Sequence, residues 1–318
     1  MSQAGSKAVT AFKKIALIGA GRMGRPMAVN LHKAGLKIEV VDPSEEALAA
    51  LRALGIACTD RFESATDGAD LVILMLADPK IIADAVERLT QQKSRPRIIV
   101  DCSSTDVVLT RDLAAKAAAS GIAFLDAPVS GSTEGAAAAT LSFMVGGDAE
   151  ALSLVRPVFD ALGKKVVHFG PVGSGQLAKT CNNMIVAIEY IGICEAFAIV
   201  EANGLDPKLF RELCLNATAR SWAMEYRCPV PGVTPDSPSS HGYEGGGSGY
   251  VVAKDLGIAL SAAKSVGMAP ELAQIARRAY QSAVEKGLGN LDFSAIYTLM
   301  RPDVRPSAAE VKATGSAQ

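Results

Sequence analysis

The sequence predicts an α/β protein with a doubly wound parallel sheet, followed by an all-α domain entered through a long helix. Three observations predict this. Through the first half, short β-branched runs alternate with Ala-rich helical stretches. Several runs, such as LVILML at 71–76, are apolar throughout rather than alternating, as in strands covered by helices on both faces. After Gly170 strand signals nearly vanish, and from Gly175 to about Asn203 an apolar stretch continues without a turn signal.

Strands are expected at 14–18, 38–41, 71–76, 98–101, 124–126, 142–145 and 166–169. Helical patterns lie between them near 23–34, 44–54, 79–91, 107–119 and 149–162. Alternation at this spacing is the signature of strand–helix–strand units. The stretch after Gly175 would make a helix of about 29 residues, ~43 Å long. It is apolar on most faces, so burial as the spine of a second domain is expected. Further helices follow near 206–216, 249–266, 270–286 and 292–299. Residues 228–249 form a loop rich in Pro, Gly and Ser, of a length that is commonly functional or mobile.

Composition narrows the function classes. The 318 residues suit about two domains. With 49% apolar and 20% charged residues the chain is an ordinary globular one. Lys plus Arg (32) nearly cancels Asp plus Glu (33), and no basic stripe stands out, which disfavours nucleic acid and anionic membrane as partners. The six cysteines are dispersed, with no Cys-x-x-Cys, and read as reduced thiols. His32, His168 and His241 have no spaced partner, so no metal site is expected. Residues 1–12 resemble neither a signal nor a transit peptide, and Met184–Val200 carries Glu189 and Glu195, so a cytoplasmic protein is expected.

The strongest local signal is Gly19-Ala-Gly21-Arg22-Met23-Gly24, between the first strand and the first helix. In a Rossmann-type domain the first Gly allows the tight turn, the second lets the backbone approach a pyrophosphate, and the third lets helix pack on strand. Asp42 ends the next strand, where a carboxylate accepts from a ribose 2′-hydroxyl and repels a 2′-phosphate. The strand ends at Met75-Leu76-Ala77 and Asp101–Thr105 can reach the same crevice, although such residues serve equally as turns and helix caps. The loop Asp126–Gly135 offers backbone N–H groups to a carboxylate or phosphate, and reads equally well as a plain connection. Lys179 and Asn183, four apart, share one face of the long helix. A Lys near a buried helix start meets the positive end of the dipole and partial desolvation, and both favour the neutral amine that acid/base work needs. Lys254, taken alone, reads as a solvated helix end, and Trp222 as a packing residue.

Together these segments resemble the β-hydroxyacid dehydrogenase family from about Lys14 to Leu299. GAGRMGRPMAVNLHKAG is similar to its cofactor fingerprint, DAPVSGSTEGAAAATL to its substrate loop, GSGQLAKTCNNM to its catalytic segment and VAKDLGIAL to its last motif. CPVPGVTPDSPSSHGYEGG looks like the 3-hydroxyisobutyrate branch, which implies a step of valine breakdown. The resemblance implies that Gly19, Gly21, Arg22, Met23 and Gly24 line the pyrophosphate of NAD, with NADP the lesser cofactor. Asp42 would hold the adenine ribose, Leu76 and Ala77 would edge the dinucleotide, and Ser104 would approach the nicotinamide ribose. Ser130, Gly131 and Ser132 would bind the substrate carboxylate. Lys179 would be the general acid/base, Asn183 would hold the substrate, and Lys254 would reach toward the nicotinamide. Three positions depart from the family pattern: Ala77 stands for Pro, and Ser132 and Ala139 each stand for Gly.

The implied protein is an NAD-dependent dehydrogenase acting on a small carboxylate substrate as a homo-oligomer, dimer or tetramer. A reductase of tartronate semialdehyde or a related aldehyde acid, and a dinucleotide-binding sensor without activity, are the alternatives. Residues 1–172 are expected as the dinucleotide-binding domain, 173–300 as the helical substrate and dimerisation domain, and 301–318 as a mobile tail.

Overall fold

The computed structural model describes residues 11–304, and the chain separates into two compact units, Met1–Lys179 and Thr180–Gln318. In the first unit six parallel strands run in the order β3-β2-β1-β4-β5-β6. They are β1 (Ile15–Ile18), β2 (Ile38–Val41), β3 (Ala57–Thr59), β4 (Leu71–Leu74), β5 (Ile98–Asp101) and β6 (Ala123–Asp126). The connecting helices are α1 (Gly24–Lys33), α2 (Glu45–Arg52), α3 (Phe62–Thr66), α4 (Pro79–Gln91) and α5 (Val107–Ala119). This is the doubly wound order of a dinucleotide-binding sheet. β7 (Val129–Ser130), α6 (Ser132–Ala137), β8 (Leu141–Gly146), α7 (Ala149–Asp160) and β9 (Gly163–Gly170) complete the unit. β8 runs antiparallel to β6 and β7 and parallel to β9.

The all-apolar strands have a direct cause. Ile15, Leu17, Leu71, Ile73, Ile98 and Val100 enter one core with Met27 and Leu31 of α1. Their alternates Ala16, Ile18, Val72, Leu74 and Ile99 enter a second core with Ile82, Val86 and Leu89 of α4 and Leu113 of α5. Each strand therefore feeds two cores, and no face remains for polar residues. Helix starts follow local chemistry. Asp78, Asp106 and Asp148 each accept from backbone N–H groups of the first turn, and Pro79 occupies a position where no N–H is needed.

Four elements of the first unit escape the sequence pattern. β3, α3, β7 and α6 are two to six residues long, too short for a period to declare itself. β9 begins at Gly163, earlier than expected, because Lys164 and Lys165 sit on an exposed outer strand.

α8 (Ser174–Ala202) spans the expected 29 residues. The second unit continues with α9 (Pro207–Leu215), α10 (Trp222–Tyr226), α11 (Gly249–Ser265) and α12 (Glu271–Ala283). Its core gathers Tyr190, Phe197, Tyr243, Tyr280, Phe293 and Tyr297. Expected burial of α8 on most faces is corrected: Ala187, Tyr190, Ile193, Cys194 and Phe197 are buried, but Ile185 and Ile199 are 61% and 64% exposed. One stripe suffices to pack the unit, and the opposite face stays uncovered in the single chain. By length and composition α8 would also pass as a membrane-crossing helix.

Trp222 is likewise not a core residue. It is half exposed and lies under the Arg227 guanidinium. The 228–249 loop is packed rather than loose. Ser237 and Ser239 hydroxyls donate to the Cys228 carbonyl, and the buried Tyr243 hydroxyl donates to the Pro229 carbonyl. At the start of the expected tail, Arg301 pairs with Glu201 at 2.8 Å and Pro302–Val304 form a 3-10 turn. The rest of that tail, 305–318, lies outside the described residues.

Candidate active site

The glycine turn has the geometry its spacing requires. Gly19 has φ +103°, and a Cβ there would stand 2.3 Å from the Met75 carbonyl oxygen. A Cβ on Gly24 would stand 1.9 Å from the Gly19 carbonyl oxygen, so side chains are barred at both ends of the turn. Gly21 is different: apart from its own chain neighbours, no protein atom lies within 4 Å of where its Cβ would be. That open cradle, beside a helix start with no side-chain cap, suits a pyrophosphate and fits a dinucleotide. Arg22 is exposed and Met23 half-buried beside it.

Asp42, after β2, accepts from the Ala20 N–H at 2.6 Å and the Ser44 N–H at 2.8 Å. It braces the glycine turn and still has lone pairs for a hydroxyl. Leu76 and Ala77 follow β4, and Ser104 follows β5. These strands are parallel, so Gly19, Asp42, Leu76 and Ser104 follow the carboxyl ends of β1, β2, β4 and β5 along one sheet edge.

Sequence reasoning missed the polar network beneath that edge. The Leu76 N–H donates to the Ser103 hydroxyl at 3.0 Å. Asp101, fully buried, accepts from the Ser103 N–H at 2.9 Å. Gln176, in the first turn of α8 and 1% exposed, grips both sides of Ser104. Its Nε2 donates to the Ser103 carbonyl at 2.8 Å, and its Oε1 accepts from the Thr105 N–H at 3.1 Å. Asp126, at the end of β6, caps α8 by accepting from the Gly173 N–H at 2.7 Å and the Gln176 N–H at 2.8 Å. A Cβ on Gly175 would stand 2.2 Å from the Met144 carbonyl oxygen, so this approach needs glycine. Burial pushes the Asp101 carboxyl up to about 6, and raises Asp126 against the pull of its two N–H partners. The one sequence signal for this set was a pair of acids closing consecutive strands.

In the proposed substrate loop Ser130 is half-buried and Gly131 has φ +134°. Ser132 and Ala139 have φ +57° and +54°, left-handed values that favour glycine. The resemblance drawn above implies Gly at both positions, and here the backbone holds left-handed values with side chains in place. The Ser132 hydroxyl donates to the Glu134 carboxylate, and Asn30 of α1 holds α6 through the Ala136 carbonyl at 2.7 Å.

Lys179 is half-buried on α8, three residues beyond Gln176 and on its side of the helix. Asn183 donates from Nδ2 to Asp255 Oδ2 at 2.6 Å. Lys254 Nζ lies 3.3 Å from the other Asp255 oxygen, so this buried acid joins Asn183 to Lys254 within the second unit. Asp255 was also missed: it reads as a helix-end charge, and only its burial distinguishes it.

Residues 14–170 match the family described as the NAD binding domain of 6-phosphogluconate dehydrogenase. Residues 173–300 match the family described as NAD-binding of NADP-dependent 3-hydroxyisobutyrate dehydrogenase. The mitochondrial 3-hydroxyisobutyrate dehydrogenase of Drosophila melanogaster is 40% identical over 292 residues, 92% of this chain and 90% of that protein. The chain belongs to the β-hydroxyacid dehydrogenase family. Within this family, the NAD-dependent L-serine dehydrogenase of Pseudomonas aeruginosa is also 40% identical, covering 91% of this chain and 98% of that protein. The solved Mycobacterium tuberculosis 3-hydroxyisobutyrate dehydrogenase with L-serine is 38% identical with a TM-score of 0.84, covering 91% of this chain and 99% of that one. As a β-hydroxyacid dehydrogenase the chain is an oxidoreductase acting on a CH–OH group with a nicotinamide dinucleotide cofactor.

Proposed function

We propose that this enzyme oxidises 3-hydroxyisobutyrate to methylmalonate semialdehyde, with NAD preferred over NADP and Lys179 as general acid/base. The observation that carries this is the place of Lys179, on the helix whose first turn is clamped to the strand-end loop holding Ser104. A bound nicotinamide would supply the acceptor for the hydride leaving the substrate C3. Lys179, as the neutral amine, accepts the hydroxyl proton as the C–O double bond forms, and in the reverse direction its ammonium returns that proton to the oxygen. Ser130, Gly131 and Ser132 bind the carboxylate, and Asn183, oriented by Asp255, holds the substrate with Lys254 beside it. Gly19, Gly21, Arg22, Met23 and Gly24 take the pyrophosphate, and Leu76, Ala77 and Ser104 border the rest of the cofactor. Asp42 repels a 2′-phosphate, which supports NAD.

L-serine is the second substrate to weigh, favoured by the relative that carries that activity and by Glu134, a carboxylate beside Ser132 that would suit an ammonium group. Residues 1–172 serve as the cofactor domain and 173–300 as the substrate and dimerisation domain. The exposed apolar face of α8 supports a homo-oligomer, and six unpaired cysteines suit a reducing compartment such as the cytoplasm. The test is kcat/KM with NAD and NADP on 3-hydroxyisobutyrate, L-serine and neutral short alcohols. Comparable efficiency on a neutral alcohol would remove the carboxylate loop from the proposal.

A further inference from the structure

We propose that Gln176 is a positioning residue for hydride transfer, fixing the Ser104 backbone and Lys179 as one rigid unit. This rests on the assignment of Lys179 and Ser104 to the active site.

Both ends of the Gln176 amide are used. Its donor holds the carbonyl before Ser104 and its acceptor holds the N–H after it, so both peptide planes flanking Ser104 are pinned. The other end of Gln176 is pinned as well, because its own N–H donates to the buried Asp126 carboxylate. Asp101 holds the Ser103 N–H, and the Ser103 hydroxyl takes the Leu76 N–H. Three strand-end segments, after β4, β5 and β6, thus converge on one helix turn. Ser103, Thr105, Gln176, Asp101 and Asp126 are all nearly inaccessible to water, so each polar group depends on its partner in the network. Lys179 follows Gln176 on the same helical side. A displacement of this turn moves the base and the Ser104 loop relative to each other, and a misplacement near 1 Å costs about 100-fold in rate.

The chemistry of the amide supplies the test. Leucine in place of Gln176 removes donor and acceptor at similar size. Glutamate keeps the acceptor and loses the donor when ionised, but the neutral carboxyl presents both again. Burial among Asp101 and Asp126 raises the pKa of such a Glu, so it regains the clamp as pH falls. Three measurements are made on the full-length protein. In Gln176→Leu, deuterium uptake without cofactor is expected to rise in the peptide covering 103–105, and kcat to fall about 10- to 100-fold with little change in KM for the acid. In Gln176→Glu, the ratio of variant to wild-type kcat is expected to climb as pH is lowered. This ratio also decides the matter if the Leu variant does not fold. Wild-type uptake and kcat in Gln176→Leu, or a pH-independent ratio for Gln176→Glu, overturns the proposal. A wild-type protein inactive on every short hydroxy acid instead overturns the proposed function, while the uptake measurement still reports on the clamp.

Discussion

Removal of the Asp126 carboxylate should uncap α8 from outside the helix. Asp126→Ala leaves two buried N–H groups, of Gly173 and Gln176, without the acceptor they now reach at 2.7 and 2.8 Å. Hydrogen bonds to a charged acceptor contribute about 1.5–3 kcal/mol each, and the raised pKa of Asp126 shows that burial offsets part of this. A loss of roughly 3–4 kcal/mol follows. For a unit of this size that is a fall of about 6–16 °C in melting temperature. Asp126→Asn keeps one acceptor and turns its amide donor toward the other N–H, so about half the loss is expected. Calorimetry and urea titration of the wild type and both variants measure it, with the first unit's transition as the readout. A loss below about 1 kcal/mol for Asp126→Ala, or an Asn variant worse than the Ala variant, would refute the assignment of this carboxylate as the cap.

Four further outcomes are expected. The Asp101 carboxyl lies near pH 6 in the folded protein, above its unfolded value, so ionisation disfavours the fold. Stability should decline as pH rises from about 4 to about 6 and then level, by at most roughly 3 kcal/mol, and Asp101→Asn should flatten that slope in urea titrations at several pH values. Lys179→Ala should lose about 10²- to 10⁴-fold in kcat while NADH fluorescence titration still reports binding, and Lys179→Arg should fail too because a guanidinium does not release its proton. Asp42→Ala should erode the preference for NAD, read as the ratio of kcat/KM for the two cofactors. Ala139→Gly should raise stability by about 1 kcal/mol by relieving a left-handed residue, and an unchanged or lower melting temperature would contradict the strain at φ +54°.

The fold was legible wherever the chemistry was local or periodic. The strands that feed two cores announced themselves as runs such as LVIL. The glycine turn was legible because its three glycines have separate steric duties at fixed spacing. Partnership across the sequence was not legible. Gln176 meets Ser103 and Thr105 more than seventy residues away, and Asp255 meets Asn183 at a similar remove. No spacing rule encodes such pairs, and Gln and Asp on a helix read as side chains facing water until their burial is known. The exposed side of α8 was misjudged for a related reason: apolar character alone does not say which face finds a partner within the same chain.

The strand order carries a consequence for synthesis. β1 lies inside the sheet, between β2 and β4, although it is the first strand of the described residues. As the chain leaves the ribosome, β2 can pair with it early, but its other edge waits for β4. At ~5–20 residues per second that interval lasts several seconds. Throughout it, an unpaired row of backbone groups flanked by Ile15, Leu17 and Ile18 is available to any other nascent strand. The position that covers β1 on both edges in the finished sheet therefore leaves one of them open to mispairing while the chain is half made.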